Sequence, residues 1–235
     1  MVKTVLITGA SRGIGFSIAK ALAPHTEHLI LIAKHKESLE KAVAQLKGIK
    51  VIPIVTDLED TAQISKLIEQ IQKKFDSLDI LVNNAGIYIG KQFENTSLEE
   101  INKLINLNFR SYSLLTHQIL PLLKKGTHPQ IINISSCASG TQIYGEALYS
   151  ATKAAVTAFS NVIRKELNEK GIRVTTIQPW GVDTYDVPQP EYLLNPDEIG
   201  ELVSFVVNRP PAVQIDLVEL SNIKQWRGKK PPWIE

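Results

Sequence analysis

A tyrosine and a lysine four residues apart, Tyr149 and Lys153, are suited to proton transfer. Residues at i and i+4 share one face of a helix, so the Lys153 ammonium can lie close to the Tyr149 phenol and favour its ionised form. A free phenol has a pKa near ~10, so at pH 7 only about one in 10³ is ionised, and moving the pKa to neutrality takes roughly 4 kcal/mol. The neutral phenol can protonate a carbonyl oxygen, whereas the phenolate can accept a proton from an alcohol. The alternative is a surface pair with no chemistry.

A serine, Ser136, follows the apolar run Ile131–Ser135, which predicts a strand. Sites in open α/β sheets are built at the carboxyl ends of strands, so the Ser136 hydroxyl is placed to hydrogen-bond a substrate carbonyl. Ser135 is the local alternative, and two serines after a strand are also typical of a helix start.

The glycine-rich segment Thr8–Gly15 joins a predicted strand, Thr4–Thr8, to a predicted amphipathic helix from about Ile14 to Ala23. Glycine is needed where a chain turns tightly, where backbone approaches a pyrophosphate and where a helix packs closely on a strand. The helix N-terminus then offers N–H groups to the phosphates. This context favours a dinucleotide-binding turn over an ordinary strand–helix turn, with the candidate cofactor-binding residues Gly9, Ser11, Arg12, Gly13, Ile14 and Gly15.

The choice of dinucleotide depends on the end of the second predicted strand, Leu29–Ala33. A carboxylate there normally binds the ribose 2′-hydroxyl of NAD, whereas a 2′-phosphate needs a cation. Ala33 stands where the acid is expected, Lys34 follows it, and Arg12 lies in the glycine turn. The sequence therefore favours NADP(H) over NAD, the alternative being that both cations are solvated surface charges.

The elements that must position these residues alternate between short β-rich apolar runs and longer segments with helical spacing. Alternation of this kind predicts right-handed crossovers. The expected fold is α/β, a single doubly wound Rossmann domain over residues 1–235 with a mostly parallel seven-stranded sheet and helices on both faces. The runs that predict strands are Thr4–Thr8, Leu29–Ala33, Val51–Thr56, Ile80–Val82, Ile131–Ser135, Val174–Ile177 and Val213–Leu220.

Composition excludes several classes of protein. The 235 residues are 43% hydrophobic and 21% charged, which excludes disordered, collagenous and coiled-coil chains. The net charge is +2, and the excess positive charge lies in the tail Ile223–Glu235. The rest of the sequence has no basic stripe of the kind that nucleic-acid binding requires. One cysteine, the absence of a signal peptide and the absence of an apolar run of about 18 residues favour a cytoplasmic protein without a membrane segment. The five histidines lack metal-ligand spacing, so no metal site is expected.

The chain resembles the classical short-chain dehydrogenase/reductase family along nearly its whole length. The landmarks are Thr8–Gly15, Asp57, Asn83-Asn84-Ala85-Gly86, Asn108, Ser136, Tyr149-Ser150-Ala151-Thr152-Lys153, and Pro179 followed by Val182-Asp183-Thr184. The spacing of thirteen residues from Ser136 to Tyr149 also matches the family.

The resemblance implies roles for these positions. Asn108, Ser136, Tyr149 and Lys153 would be the catalytic residues, with Asn106 as the alternative to Asn108 for kinking the helix and supporting a water relay to the lysine. Tyr149 and Lys153 would also bind the cofactor. Further cofactor-binding positions would be Lys34, Asp57, Asn84, Ala85, Gly86, Pro179, Val182 and Thr184. The family also leads us to expect a homodimer built on the long helices around Asn108 and Tyr149.

The sequence departs from the family pattern around the substrate. Trp180 stands where glycine commonly follows the proline, so it either walls the pocket or fills space. The substrate loop 185–194 is short, and the last strand resembles, more weakly, the branch of sepiapterin-reductase-like and hydroxy-acid dehydrogenase enzymes. Cys137 and Tyr144 are, with Trp180, the candidate substrate residues, although Cys137 also suits a small buried hydrophobe.

The function predicted from these features is NADPH-dependent reduction of a ketone or aldehyde on a small or medium-sized molecule. One alternative is an alcohol or hydroxy-acid dehydrogenase that works oxidatively with NAD(P). A non-catalytic NADP-binding sensor and nucleic-acid association through the basic tail are further alternatives.

Overall fold

The predicted strands form one parallel sheet in the computed structural model, which describes residues 2–141, 143–184 and 190–226. The seven strands lie in the order β3-β2-β1-β4-β5-β6-β7, and every strand pairing is parallel. The order reverses direction between β1 and β4, which is the switch point where open α/β sheets form their ligand crevice. The strands are β1 (Val2–Thr8), β2 (Thr26–Ala33), β3 (Lys50–Val55), β4 (Ile80–Asn83), β5 (Gln130–Ile134), β6 (Arg173–Pro179) and β7 (Leu217–Leu220).

Helices cover both faces of this sheet, as the alternating sequence pattern predicts. They are α1 (Gly13–Leu22), α2 (Lys36–Val43), α3 (Thr61–Gln72), α4 (Leu98–Ile105), α5 (Ser111–Leu123), α6 (Ala138–Thr141), α7 (Ala147–Asn168) and α8 (Pro196–Val207). Side chains alternate across a strand, so Val5 and Ile7 join a core with α1, α2 and α8, whereas Leu6 joins a second core with α3, α5 and α7. The expectation of a doubly wound Rossmann fold is thereby confirmed.

The last strand is shorter than the sequence predicts, because it begins at Leu217 and not at Val213. At Val213 and Gln214, side-chain hydrogen bonds take the place of backbone pairing with β6. The Gln214 amide bonds both backbone groups of Val174, and the Arg173 guanidinium donates to the Val213 carbonyl at 2.9 Å. Once these groups are satisfied by side chains, the segment no longer needs strand pairing.

The substrate loop predicted at 185–194 is described from residue 190 onward, and residues 185–189 lie outside the described part, as do residues 227–235 of the basic tail. Pro190–Tyr192 form a single 3-10 turn, and buried Leu194 bridges to Val182. Asn195 then caps α8 with Glu198 in a reciprocal capping box.

The described residues contain neither a membrane-spanning helix nor a metal-binding cluster. No helix among them is long and apolar enough to cross a bilayer. They contain no group of three or more histidine, cysteine or acidic residues that could hold a metal ion.

Candidate active site

The candidate site lies where β1, β4, β5 and β6 end, and Thr8 joins the first two of these ends. Its hydroxyl donates to the Val82 carbonyl at 3.2 Å and accepts from the backbone N–H groups of Asn84 at 2.9 Å and Ala85 at 3.0 Å. The Asn84 amide donates back to the Thr8 carbonyl at 2.9 Å and to the Gly9 carbonyl at 3.3 Å. The Asn-Ala-Gly turn after β4 is therefore fastened to the glycine turn after β1.

The glycine turn leaves no room for side chains at the positions that the sequence singled out. Gly9 and Gly13 have φ of +64° and +54°, in the left-handed region that favours glycine. A Cβ on Gly15 would overlap the Gly9 carbonyl oxygen and the Asn84 amide, and one on Gly13 would come within 3.0 Å of Thr184. At the α1 N-terminus the N-cap Arg12 makes no side-chain capping bond and the first turn holds no acid. These features fit a dinucleotide pyrophosphate.

The remaining predicted residues of the glycine turn are Ser11 and Ile14. Both are half-buried.

The end of β6 completes the same edge. The Pro179 carbonyl accepts from the Cys137 N–H at 3.1 Å, which joins the ends of β5 and β6. The Thr184 N–H donates to the Val182 carbonyl at 2.9 Å, and this turn places Thr184 against Gly13. The structure thus brings the segment predicted to meet the nicotinamide up to the predicted pyrophosphate turn.

The predicted cation Lys34 lies in an ion-pair cluster that the sequence did not reveal. Its ammonium is 2.8 Å from the Asp57 carboxylate and 3.1 Å from the Glu59 carboxylate. Hydrogen bonds to these two acids raise the pKa of Lys34. Burial works to raise the pKa of Asp57, but bonds from Lys34 and from the Glu59 N–H hold it below its usual value. Glu59 is therefore a third member of the predicted adenine-ribose region.

Tyr149 and Lys153 lie on one face of α7, as their spacing predicts. Lys153 is only 5% exposed, and its ammonium donates to the Ile134 carbonyl at 3.0 Å and lies 5.9 Å from the centre of the Tyr149 ring. Burial lowers the pKa of Lys153 to about 8. The ammonium also lies near Gly86, where a Cβ would stand 3.6 Å from it. A buried ammonium beside a half-buried phenol is an arrangement that can stabilise phenolate character.

Asn108 lies in a π-helical turn, Asn106–Arg110, between α4 and α5. The turn directs the fully buried Asn108 amide inward, where it accepts from the Ile87 N–H at 2.8 Å and donates to the Ile87 carbonyl at 2.9 Å. It also donates to the Thr152 hydroxyl at 3.2 Å. The alternative, Asn106, bonds Arg110 at the surface. Asn108 is therefore the asparagine that the structure places beside the Tyr149 and Lys153 segment.

The two adjacent serines have different surroundings. Ser135 is buried and bonds the Lys153 carbonyl and the Thr157 hydroxyl, both at 2.9 Å, so its hydroxyl holds α7 against β5. The Ser136 hydroxyl accepts from the Ala138 N–H at 3.2 Å and lies 3.9 Å from the Cys137 sulfur. Burial raises the pKa of Cys137 to about 11. Cys137 thus packs as a buried thiol beside Ser136.

The other two candidate substrate residues, Tyr144 and Trp180, have different partners. Tyr144 is 85% exposed, accepts a bond from the Gln92 amide at 2.6 Å and lines a cavity of about 740 Å³ between the start of α7 and the turn before α4. Trp180 donates from its indole nitrogen to Glu219 at 2.8 Å, which holds it against β7. Among the described residues that line the cavity, neither Trp180 nor Cys137 is found.

Two residues next to Tyr149, Tyr88 and Glu146, are not among the candidates that the sequence provides. The Tyr88 hydroxyl donates to Glu146 at 2.7 Å, and the Tyr88 ring meets the Tyr149 ring edge-on with the centroids 5.0 Å apart. The only sequence signal is position, because Tyr88 lies two residues after Gly86 and Glu146 three residues before Tyr149.

Comparison with known proteins agrees with this geometry. The sequence model of a family described as short chain dehydrogenase matches residues 3–189. The ketoacyl reductase HetN of Nostoc sp. (strain PCC 7120) is 36% identical over 179 residues, 75% of this chain, and the match spans only 62% of that relative's length. An uncharacterized oxidoreductase of Staphylococcus aureus (strain MW2) is 31% identical over 221 residues, 91% of this chain and 94% of that protein.

A solved structure extends the similarity to the fold. The alcohol dehydrogenase of the archaeon Thermococcus sibiricus, complexed with 5-hydroxy-NADP, superposes with a TM-score of 0.89 at 29% identity and covers 99% of this chain and 100% of that one. Because the family match runs over most of the sequence, and relatives share both identity and fold along it, this chain is an oxidoreductase of the short-chain dehydrogenase/reductase family.

Proposed function

We propose that this protein is an NADPH-dependent reductase that converts a ketone or aldehyde on a small or medium-sized molecule to an alcohol. The observation that carries the proposal is the buried Lys153 ammonium beside Tyr149, at the sheet edge where the glycine turn also ends. Two relatives, a ketoacyl reductase and an alcohol dehydrogenase, are named for reactions of a carbonyl or an alcohol group, and they support this class of reaction.

The proposed roles follow from the surroundings of each residue. Bound NADPH would supply the hydride that reduces the carbonyl carbon. Tyr149 gives its hydroxyl proton to the carbonyl oxygen, and the positive charge of Lys153 stabilises the phenolate that remains. Ser136 hydrogen-bonds the same oxygen, since the neighbouring Ser135 is engaged with α7. Asn108 holds Ile87 and Thr152, and it thereby fixes the loop and the helix that flank the reaction.

The cofactor preference is proposed from two cations, Lys34 after the end of β2 and Arg12 in the glycine turn, which together would bind a 2′-phosphate. The T. sibiricus structure, which holds an NADP derivative, supports the same choice. The double variant Arg12→Ala, Lys34→Ala is expected to weaken NADPH binding by roughly 10- to 100-fold, the loss of one or two charge-assisted bonds to a phosphate. NADH binding should change by less than about threefold, since NADH lacks the 2′-phosphate. Fluorescence titration of both nucleotides measures this, and equal losses would contradict the assignment.

Glu59 provides a control of opposite sign for this prediction. It pairs with Lys34 at 3.1 Å and adds negative charge beside the proposed 2′-phosphate site. Glu59→Gln is expected to tighten NADPH binding by up to about fivefold, the size of a surface charge interaction, and to leave NADH binding unchanged.

The test of the proposed function is NADPH consumption with a panel of ketones, quinones, pterins and acyl-thioester ketones. Turnover that depends on the ketone supports the proposal. Faster NAD(P)+-dependent alcohol oxidation at neutral pH would point to the oxidative dehydrogenase, and NADPH binding without turnover across the panel would point to a sensor.

We further propose a homodimer built on the long helices around Asn108 and Tyr149, with exposed apolar side chains of α4 and α7 in the interface. Apolar side chains lie exposed there, including Leu98 at 79%, Ile105 at 42% and Val162 at 55%. Val162→Asp is expected to convert the dimer to a monomer, because a carboxylate buried in an apolar interface lacks a partner. Val55, which is 49% exposed on the edge strand β3, gives the matched control Val55→Asp. Light scattering measures both variants, and a monomeric wild-type protein would refute the proposal.

A further inference from the structure

We infer that Tyr88, held in place by Glu146, is a positioning residue for Tyr149. The inference rests on the proposed reductase function and adds to it two residues outside the Ser136, Tyr149 and Lys153 set. Tyr88 acts through its contact with the Tyr149 ring, and Glu146 acts through its hydrogen bond to Tyr88.

The contacts form a short chain that ends on the proposed proton donor. The Glu146 carboxylate accepts from the Tyr88 hydroxyl at 2.7 Å. The Tyr88 ring then stands almost perpendicular to the Tyr149 ring, at 82° and 5.0 Å between centroids. Edge-to-face contact is a favourable geometry for two aromatic rings. Tyr88 therefore restrains the Tyr149 ring on the side that faces Tyr88.

The backbone that carries Tyr88 is fixed on both sides. The preceding residue, Ile87, has both its N–H and its carbonyl bonded to the buried Asn108 amide. Gly90, two residues after Tyr88, packs against the Tyr88 phenol, and a Cβ on Gly90 would overlap the phenol oxygen. The Lys91 N–H then bonds the Gly145 carbonyl at 2.6 Å, which ties the loop to the start of α7. Tyr88 is therefore held by its neighbours along the chain as well as by Glu146.

The charge of Glu146 gives this arrangement a pH dependence. Glu146 is half-buried, and burial raises the pKa of its carboxyl above the usual value. Among the described residues, the Tyr88 phenol contacts the Glu146 carboxyl, the Cys137 thiol interacts with it electrostatically, and Tyr149 lies three residues further along the chain. Above its pKa the carboxylate makes a charge-assisted bond to Tyr88, and below it the neutral acid makes a weaker one. The restraint on Tyr149 thus weakens as pH falls, and it does so nearer neutrality than for an ordinary glutamate.

The contact can be tested without turnover by NMR of the full chain labelled with ¹³C at the tyrosine ring carbons. The Tyr149 resonance is assigned as the one absent from Tyr149→Phe. Its chemical shift should move toward that of an isolated tyrosine in Tyr88→Leu, which removes the neighbouring ring. In Tyr88→Phe, which keeps the ring but loses the bond to Glu146, the shift should lie between those of wild type and Tyr88→Leu. In wild type its position should change as pH falls through the Glu146 titration. Glu146→Gln should abolish that change, and Glu166→Gln, on the exposed surface of the same helix, should preserve it.

Steady-state kinetics then test the positioning role. We expect Tyr88→Leu to lower kcat by about 10- to 100-fold, the usual effect of a small misplacement of a reacting group, with NADPH affinity and thermal stability near wild type. Tyr88→Phe, which keeps the ring but loses the bond to Glu146, should recover only part of this loss, and its kcat should not depend on the Glu146 titration. Wild type should lose kcat on the acid side of its pH profile, and Glu146→Gln should not show this loss.

Two results would overturn the inference. One is a Tyr149 chemical shift that is the same in Tyr88→Leu as in wild type. The other is a Tyr88→Leu variant in which only the KM for the ketone changes, as expected if Tyr88 merely lines the pocket. A wild-type protein without carbonyl reduction would instead overturn the proposed function. In that case the NMR experiment still decides whether Tyr88 and Glu146 position Tyr149.

Discussion

Tyr149→Phe is expected to lower kcat for ketone reduction by roughly 10³-fold, while NADPH affinity falls by no more than about tenfold, the loss of at most one hydrogen bond to the cofactor. The substitution removes only the hydroxyl that gives the proton. The phenylalanine ring would keep the edge contact with Tyr88, and Lys153 would keep its bond to the Ile134 carbonyl. The measurement is NADPH oxidation under saturating ketone, with NADPH affinity determined separately by fluorescence titration.

The binding measurement is the control for this prediction. If NADPH affinity fell by as much as kcat, the loss would reflect a disturbed cofactor site and not a missing proton donor. Full turnover with normal cofactor binding would exclude Tyr149 as the acid and would remove the basis of the proposed mechanism.

Gly15→Ala is expected to destabilise the fold by about 1–3 kcal/mol, the usual cost of forcing extra volume into a packed site, and to weaken NADPH binding by more than about tenfold. The new Cβ would overlap the Gly9 carbonyl oxygen and the Asn84 amide, which together hold the turn against β4. The glycine turn must therefore open, and the backbone that would meet the pyrophosphate moves with it. Thermal unfolding and nucleotide titration measure the two effects.

Gly140 offers a matched control for this prediction. A Cβ added there meets no heavy atom within 4 Å, and Gly140 lies on the exposed surface of α6. Gly140→Ala should leave stability within about 0.5 kcal/mol of wild type and NADPH affinity unchanged, as surface substitutions usually do. If the two alanine variants behaved alike, crowding at Gly15 would not be what shapes the turn.

Features encoded by neighbouring residues were predictable from the sequence. The apolar runs predicted the seven strands, because side chains on a strand alternate between two buried faces of the sheet. The first strand, the glycine turn and the first helix are contiguous, so local spacing alone defined that unit. The last strand was predicted to begin four residues too early, at Val213. The local pattern does not show that the side chains of Gln214 and Arg173, and not strand pairing, bond the backbone groups of this segment and of β6.

Choices between two nearby residues of the same type required the tertiary structure. Ser135 and Ser136 differ in what lies beside them, and the partner of Ser135 is the helix that also carries Lys153. Asn106 and Asn108 differ because a π-helical turn rotates Asn108 inward to Ile87. A sequence pattern with helical period does not reveal such a turn.

The sequence by itself determined the fold class, the glycine turn and the shared helix face of Tyr149 and Lys153, because each depends on residues close together in the chain. Only the tertiary structure decided that Lys34 is paired with Asp57 and Glu59, and that Tyr88 and Glu146 stand beside Tyr149. These partners are separated by 25 positions for Lys34 and Glu59 and by 58 for Tyr88 and Glu146. Contacts over such distances follow from the order of strands in the sheet, which brings the ends of distant segments to one edge.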